Sequence, residues 1–176
     1  MKDPRHLRGG LILPWMVEKV STHILNNARL ETIKEKPTYH KNIQHMRCLI
    51  PASGFYEWKT EGKMKTPYYT ALKEWKLFAF AGIYSIVKDS KGKDLKSCSI
   101  ITMPPNSLMA KIHERMPMIL PKGLYDEWID PKITDMNTIL GMINPIESKE
   151  MRDIQVSTMV NAIRNNSEKN IEPIGD

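Results

Sequence analysis

The stretch Arg47-Cys-Leu-Ile-Pro-Ala-Ser-Gly-Phe-Tyr-Glu-Trp58 reads as two short extended runs, 47–50 and 54–59, parted by Pro51 and the small residues after it. Proline has no N–H to give a ladder, and glycine punctuates a strand pattern, so a break between the runs is expected. In an extended Gly54–Trp58, Phe55 and Glu57 share one face while Tyr56 and Trp58 share the other. Glu57 therefore sits among apolar and aromatic side chains, where a carboxylate meets a raised proton affinity if it is desolvated. Two readings follow: a strand-edge carboxylate paired with a lysine such as Lys59, or a proton-handling group at a working site.

Downstream, the same extended signature recurs at Tyr68–Leu72, Phe78–Val87 and Ser97–Met103, with Gly62-Lys63 and Ser90-Lys-Gly92 as turns. Upstream, Leu11–Trp15 reads as a short extended piece, Val20–Arg29 as a helix closing on Asn26-Asn27, and Tyr39–Met46 as a second helix. Beyond Met103, Pro104-Pro105 ends the strand run, and Asn106 or Ser107 can cap a short helix through Ile112. Met116–Leu120 reads as extended, 123–129 and 135–143 as helical, and Ile154–Ser157 as one more strand. Strands are clustered rather than alternated with helices, which predicts an α+β fold: a curled, mainly antiparallel sheet with a barrel-like centre and short peripheral helices. The expected organisation is one domain over 1–164, with the polar residues 165–176 as a flexible tail.

Hydrophobic residues make up 41% of the chain and charged ones 26%, ordinary for a globular domain. With no apolar run of bilayer-spanning length, a membrane role is not expected and a cytoplasmic location is. The net charge of +6 is compatible with a polyanionic partner but does not identify one. Cys48 and Cys98 stand far apart in strand-like runs and read as buried free thiols; neither they nor the five histidines show metal-ligand spacing, so no metal and no cofactor are expected.

A second motif, Ile112-His-Glu-Arg-Met-Pro117, places His113 between a short helix and an apolar extended run. It reads either as a satisfied core histidine or as an acid–base group. Arg115 is a phosphate contact or the ion-pair partner of Glu114. Asn27 and Arg29 stand at a helix end, where an asparagine often only terminates the helix. Trp15, Tyr56 and Trp58 belong to a core or stack on bases.

Several motifs occur together in one order: Gly10-Leu-Ile12, Trp15, Asn27-Ala-Arg29 followed by Glu31-Thr32, the Arg47–Trp58 stretch, Ala81-Gly-Ile83, Ile100-Ile-Thr102, Ile112–Pro117, and Val156-Ser157 with Val160-Asn161. From Gly10 to Asn161 the chain resembles the SOS-response-associated peptidase (SRAP) family. That resemblance implies binding of single-stranded DNA at abasic sites in the DNA-damage (SOS) response. It also implies a covalent thiazolidine link formed by an N-terminal cysteine, whose α-amine and thiol both attack the sugar aldehyde. By motif, Glu57 resembles the proton-shuttling carboxylate, His113 the histidine that assists sugar opening, and Asn27 the residue that positions the reacting group. Arg29 and Arg115 resemble phosphate contacts, and Trp15 and Trp58 walls against bases. Residue 2 is lysine here, and the family carries a longer segment before its Gly-Leu-Ile. The expectation is an ordinary member cut short, with an in-frame Met-Cys upstream. The alternatives are a thiol peptidase or autopeptidase, and a non-catalytic single-stranded-DNA-binding remnant.

Overall fold

Strand signals dominate the centre of the chain in the computed structural model, which describes residues 7–19, 25–33 and 35–174. In chain order the strands are β1 (Arg8–Gly9), β2 (Asn27–Arg29), β3 (Arg47–Ala52), β4 (Phe55–Glu61), β5 (Met64–Leu72), β6 (Phe78–Lys88), β7 (Asp94–Met103), β8 (Met116–Pro117), β9 (Ile119–Leu120) and β10 (Met151–Gln155). The helices are α1 (Leu30–Ile33), α2 (Pro37–His45), α3 (Tyr125–Ile129) and α4 (Met136–Gly141), joined by short 3-10 turns. The fold is α+β, as expected. Its strands form two sheets, of seven and three strands, and neither closes into the barrel-like centre expected from the sequence. The chain passes between two compact units five times, after Ile50, Phe78, Met103, Met116 and Asn144. The units are Met1–Ile50 with Ala79–Met103 and Pro117–Asn144, and Pro51–Phe78 with Pro104–Met116 and Pro145–Asp176.

The first unit is built on the seven-stranded sheet, with β1-β7-β6-β3 as its spine. β6 and β7 form an antiparallel hairpin paired from Gly82↔Ile100 to Lys88↔Asp94. At its tip Gly92 takes φ +77°, a left-handed conformation that glycine adopts without steric cost. There the Asp89 carboxylate accepts from the N–H groups of Lys91 and Lys93, both at 2.8 Å. Phe78–Ile83 of β6 is buried at every position, the continuous pattern of a strand covered on both faces. Gly82 is needed at its place, because a Cβ there would lie 2.7 Å from Ile50 Cδ1 and 3.0 Å from Cys48 Sγ.

β1 and β2 both add to β7 in parallel. Part of the helix expected over 20–29 lies outside the described residues, and its last three residues are strand instead. Ala28, fully buried, pairs with Ile101 of β7, so sheet pairing overrides the local helical spacing there.

Arg47, the first residue of β3, is only 7% exposed. Its Nε donates to Trp128 O at 2.5 Å, Nη1 to Ile43 O and Gln44 O at 2.8 and 2.7 Å, and Nη2 to Asp130 O and Ile133 O at 2.6 and 2.9 Å. All five guanidinium donors are thus matched to backbone carbonyls, in the last turns of α2 and α3 and in the turn that follows α3, where Asp130 O also accepts from the Ile133 N–H at 3.3 Å. The guanidinium also lies 5.8 Å from the Trp128 ring centroid.

The second unit holds the antiparallel sheet β10-β5-β4. Direct cross-strand partners share a face, so the pairs Phe55↔Thr70 and Glu57↔Tyr68 fall on one face and Tyr56↔Tyr69 and Trp58↔Pro67 on the other. The first face is covered by the segment after β7, where fully buried Met109 receives the Thr70 hydroxyl at 3.6 Å. Asn106 starts that segment as the capping pattern predicts: its Oδ1 accepts from the N–H groups of Leu108 and Met109 at 3.1 and 3.0 Å.

Residues from 157 onward pack on the second face. Trp58 Nε1 donates to Asn161 Oδ1 at 2.8 Å, and the Tyr56 hydroxyl donates to Asn170 O at 3.3 Å. Polar composition marks 165–176 as tail, of which 165–174 are described; within them Asn170 is buried, and its Nδ2 donates to Asn165 O at 2.6 Å. Among the described residues no helix is long and apolar enough to cross a membrane.

The Arg47 arrangement makes a direct prediction. Lysine keeps the charge but has three donors, so at least two of the five carbonyls, buried or half-buried, lose the guanidinium bond, and only Asp130 O has the Ile133 N–H in reserve. Each such group costs about 1–3 kcal/mol, so Arg47→Lys is expected to lower unfolding stability in urea by about 3 kcal/mol, and Arg47→Ala by more. Equal midpoints for Arg47→Lys and wild type would show that the hydrogen bonds carry no stability.

Candidate functional site

Glu57 is the third residue of β4, and β4 is an edge strand in the order β10-β5-β4. At the start of this strand the Tyr69 ring lies over Gly54, where any Cβ would collide with it. The Tyr69 hydroxyl donates to Ser53 O at 3.1 Å, and its ring packs tilted against Tyr56 with centroids 5.4 Å apart. These contacts fix where β4 begins and hence which way Glu57 points.

His113 follows a 3-10 turn at Met109–Lys111, with its backbone N–H bonded to Met109 O at 2.8 Å. Burial of Met109 and Ile112 in the unit's core presents the imidazole at the cleft. Its Nδ1 lies 3.9 Å from Glu57 Oε2. The same nitrogen is 3.1 Å from the Arg115 backbone N and 3.2 Å from Arg115 O. Unprotonated, Nδ1 accepts from the Arg115 N–H; protonated, it donates to the Arg115 carbonyl. Either protonation state of Nδ1 thus has a backbone partner, one bond replacing the other.

Burial pushes the Glu57 carboxyl above the ordinary carboxylate range, and the nearby His113 and the Trp58 N–H offset only part of that rise. The side chains of Glu57 and His113 keep 24% and 39% of their surface accessible, so solvent reaches both. Lys59, the neighbour that would make Glu57 a plain strand-edge ion pair, binds Glu61 at 2.8 Å.

Glu57 and His113 open into a cleft of about 390 Å³ that Trp58, Thr60, Lys65 and Asn161 complete. Because β4 is an edge strand, the cleft draws Glu57 from one face and Trp58 and Thr60 from the other. Asn161, Lys65 and Thr60 were not among the residues assigned a role from sequence. Asn161 stands in a quoted motif, Val160-Asn161, and that was its only signal. Ser157 accepts from the Met159 N–H at 3.2 Å and starts the 3-10 turn Thr158–Asn161 that carries it.

Of the other sequence candidates, Arg115 is half-buried in this unit and meets the His113 ring through its backbone. The remaining three belong to the other unit. Trp15 is 65% exposed on the 3-10 turn Pro14–Lys19, beside a hollow walled by 86–90. Asn27 and Arg29 are exposed at the two ends of β2, so Asn27 is a strand residue rather than a helix terminator.

Cys48 and Cys98 are free and half-buried. Burial pushes the Cys48 thiol up to about 12 and raises that of Cys98, so neither is a thiolate nucleophile near neutral pH. Among the described residues no group of three His, Cys, Asp or Glu side chains is placed to hold a metal ion.

The Glu57 shift has a definite sign for stability. A raised folded-state value means the folded protein binds the proton more tightly than the unfolded chain does. The associated stability is complete below the unfolded value near 4.3 and is lost as pH rises through the folded one. Glu57→Gln is therefore expected to match wild type in melting temperature in acid and to exceed it increasingly towards neutral pH. A constant offset at all pH values would contradict the assignment.

Known proteins resemble this chain in both sequence and fold. The family described as SOS response associated peptidase (SRAP) matches residues 2–163. A Bacillus subtilis protein named abasic site processing protein YoqW is 44% identical over 167 residues, covering 94% of this chain and 75% of its own. The Xenopus tropicalis abasic site processing protein HMCES is 31% identical over 184 residues, covering 92% of this chain and 54% of its own. Among solved structures, a Bacteroides thetaiotaomicron protein superposes with a TM-score of 0.88 at 31% identity, over 96% of this chain and 75% of that one.

Proposed function

The chain belongs to the SOS response associated peptidase (SRAP) family, and from that premise we propose that its Glu57–His113 cleft processes abasic sites in single-stranded DNA. The observation that carries this reading is the carboxyl of raised proton affinity 3.9 Å from an imidazole, in an open cleft edged by an indole. The setting we propose is the cytoplasm, with the protein on chromosomal DNA when bound.

An abasic deoxyribose opens to an aldehyde, and opening moves a proton from the anomeric hydroxyl to the ring oxygen. His113 is suited to that transfer because its Nδ1 has a backbone partner in either state. A primary amine then adds to the aldehyde carbon, and the resulting hydroxyl leaves as water. Glu57, protonated more readily than an exposed carboxyl, supplies the proton for that departure. In the covalent step the thiol of the same amine-bearing residue adds across the C=N bond, forming C–S while its proton passes to nitrogen. The product is a five-membered thiazolidine. This step needs an N-terminal cysteine; Cys48 and Cys98, being internal, have no free α-amine.

Trp58 offers a ring for a displaced base, held by its bond to Asn161. Arg115 is proposed as a phosphate contact of the same unit. Exposed Trp15, Asn27 and Arg29 are proposed as the other unit's own contacts to the strand.

The test is a denaturing gel after incubation with an abasic-site oligonucleotide, using this chain and a longer form with an N-terminal cysteine. A heat-stable crosslink from the longer form is expected, slowed about 100-fold or more by Glu57→Gln with strand binding retained. Binding by both forms without a crosslink would reduce the function to strand binding, and cleavage of a separate peptide would favour a peptidase.

A further inference from the structure

A second hollow, of about 520 Å³, lies in the same unit as the cleft, and the proposed DNA reading gives it no role. Its floor is Ala71 of β5, between Tyr69 and Lys73 on the same strand face. Ala71 pairs with Arg152 and Tyr69 with Ile154 on β10, so the small alanine leaves space beneath the arginine. Ile171 and Pro173 close the side opposite, and Trp75 and Lys76 rise from the loop after β5.

This hollow combines an apolar floor, two aromatic rings and three cations. Lys73, Lys76 and Arg152 are all exposed, and among the described residues no carboxylate lines it; Glu74, Asp153 and Glu172 are sequence neighbours outside its walls. The Tyr69 ring is immobilised by Tyr56 and by its hydroxyl bond to Ser53 O, so it is a fixed wall. A flat apolar group carrying negative charge matches this chemistry, as one nucleotide of a single strand does: its base on the rings, its phosphates among the cations.

We propose that this hollow is a second contact for the DNA strand, engaging nucleotides that flank the one held in the Glu57–His113 cleft. The proposal rests on the DNA reading of that cleft. β5 connects the two places directly, since Lys65 lines the cleft and Lys73 the hollow, and the strand between them spans roughly 26 Å. An extended single strand covers that distance with a few nucleotides, so only a strand longer than the cleft requires reaches both.

Fluorescence anisotropy on the full chain tests this with a short abasic strand that fills the cleft alone and a long one that extends past it. The variants are Lys73→Glu with Arg152→Glu, and separately Lys76→Glu. For the long strand, affinity is expected to fall about tenfold or more. Its salt dependence is expected to become shallower by about one unit of slope for each phosphate no longer neutralised. The short strand is expected to bind the variants as it binds wild type, which also shows that they are folded. Unchanged affinity and slope on the long strand would overturn the proposal, as would equal weakening on both strands. Saturation by a free mononucleotide without effect on long-strand binding would make the hollow a nucleotide site instead and overturn it too. If wild type binds the short strand but gains nothing from length, the second contact alone fails. If it binds neither strand, the DNA reading itself fails.

Discussion

One guanidinium ties together two of the three chain segments from which the first unit is built. Arg47 gives each of its five N–H donors to a backbone carbonyl, from Ile43 and Gln44 in the last turn of α2 to Trp128, Asp130 and Ile133 around the end of α3. Helix ends leave carbonyls without intrahelical partners, and burying them unmatched is costly. An apolar replacement would fill the volume and remove the guanidinium from all five acceptors, of which, among the described residues, Asp130 O alone keeps a second donor, the Ile133 N–H; a lysine would match only some of them. Burial lowers the Arg47 pKa, with Asp130 acting against that, yet an arginine has so large a margin that it stays charged. Because Arg47 is also the first residue of β3, the same contact sets where the strand leading to Pro51 and Gly54 begins.

In the second unit the governing constraint is position within a sheet. β4 has β5 on one side and no further strand in the order β10-β5-β4. In an interior strand, alternate side chains are separated by the sheet itself. At an edge, Glu57 from one face and Trp58 from the other meet in a single cleft. The edge also moderates burial. Glu57 is desolvated enough to hold its proton more tightly than a surface carboxylate, and open enough to release it to a ligand.

What was legible in the sequence is what depends on local geometry. The period-two pattern of 54–59 predicted β4 and its faces, Gly62 and Gly92 marked turns that do take positive φ, and Asn106 announced its own cap. Glu57 stood out because a charge in an aromatic strand is anomalous at short range. Non-local arrangements were not legible. Asn161 reaches Trp58 across 103 positions, and Arg47 reaches Ile133 across 86, so neither partner is implied by its neighbours. The strand at Asn27–Arg29 was missed for the same reason, since β7 dictates it. In the polar segment after 164, the burial of Asn170 is decided by the chain it packs against.

The geometry between His113 and Glu57 decides what kind of couple they form. At 3.9 Å the two are too far apart for a hydrogen bond, so no proton is locked between them. Yet they are near enough for the charge on one to bias the other, and Glu57 shows that influence as a partial offset to its desolvation. The Arg115 backbone gives Nδ1 a donor and an acceptor, making the ring's two states alike in hydrogen bonding. Because Nδ1 has one in-plane position and the Arg115 backbone takes it, the imidazole acts on Glu57 by charge and leaves the carboxyl oxygens to other partners. A tight ion pair would satisfy itself; a wider separation would uncouple the charges. The pair is therefore coupled through charge and not through a shared proton.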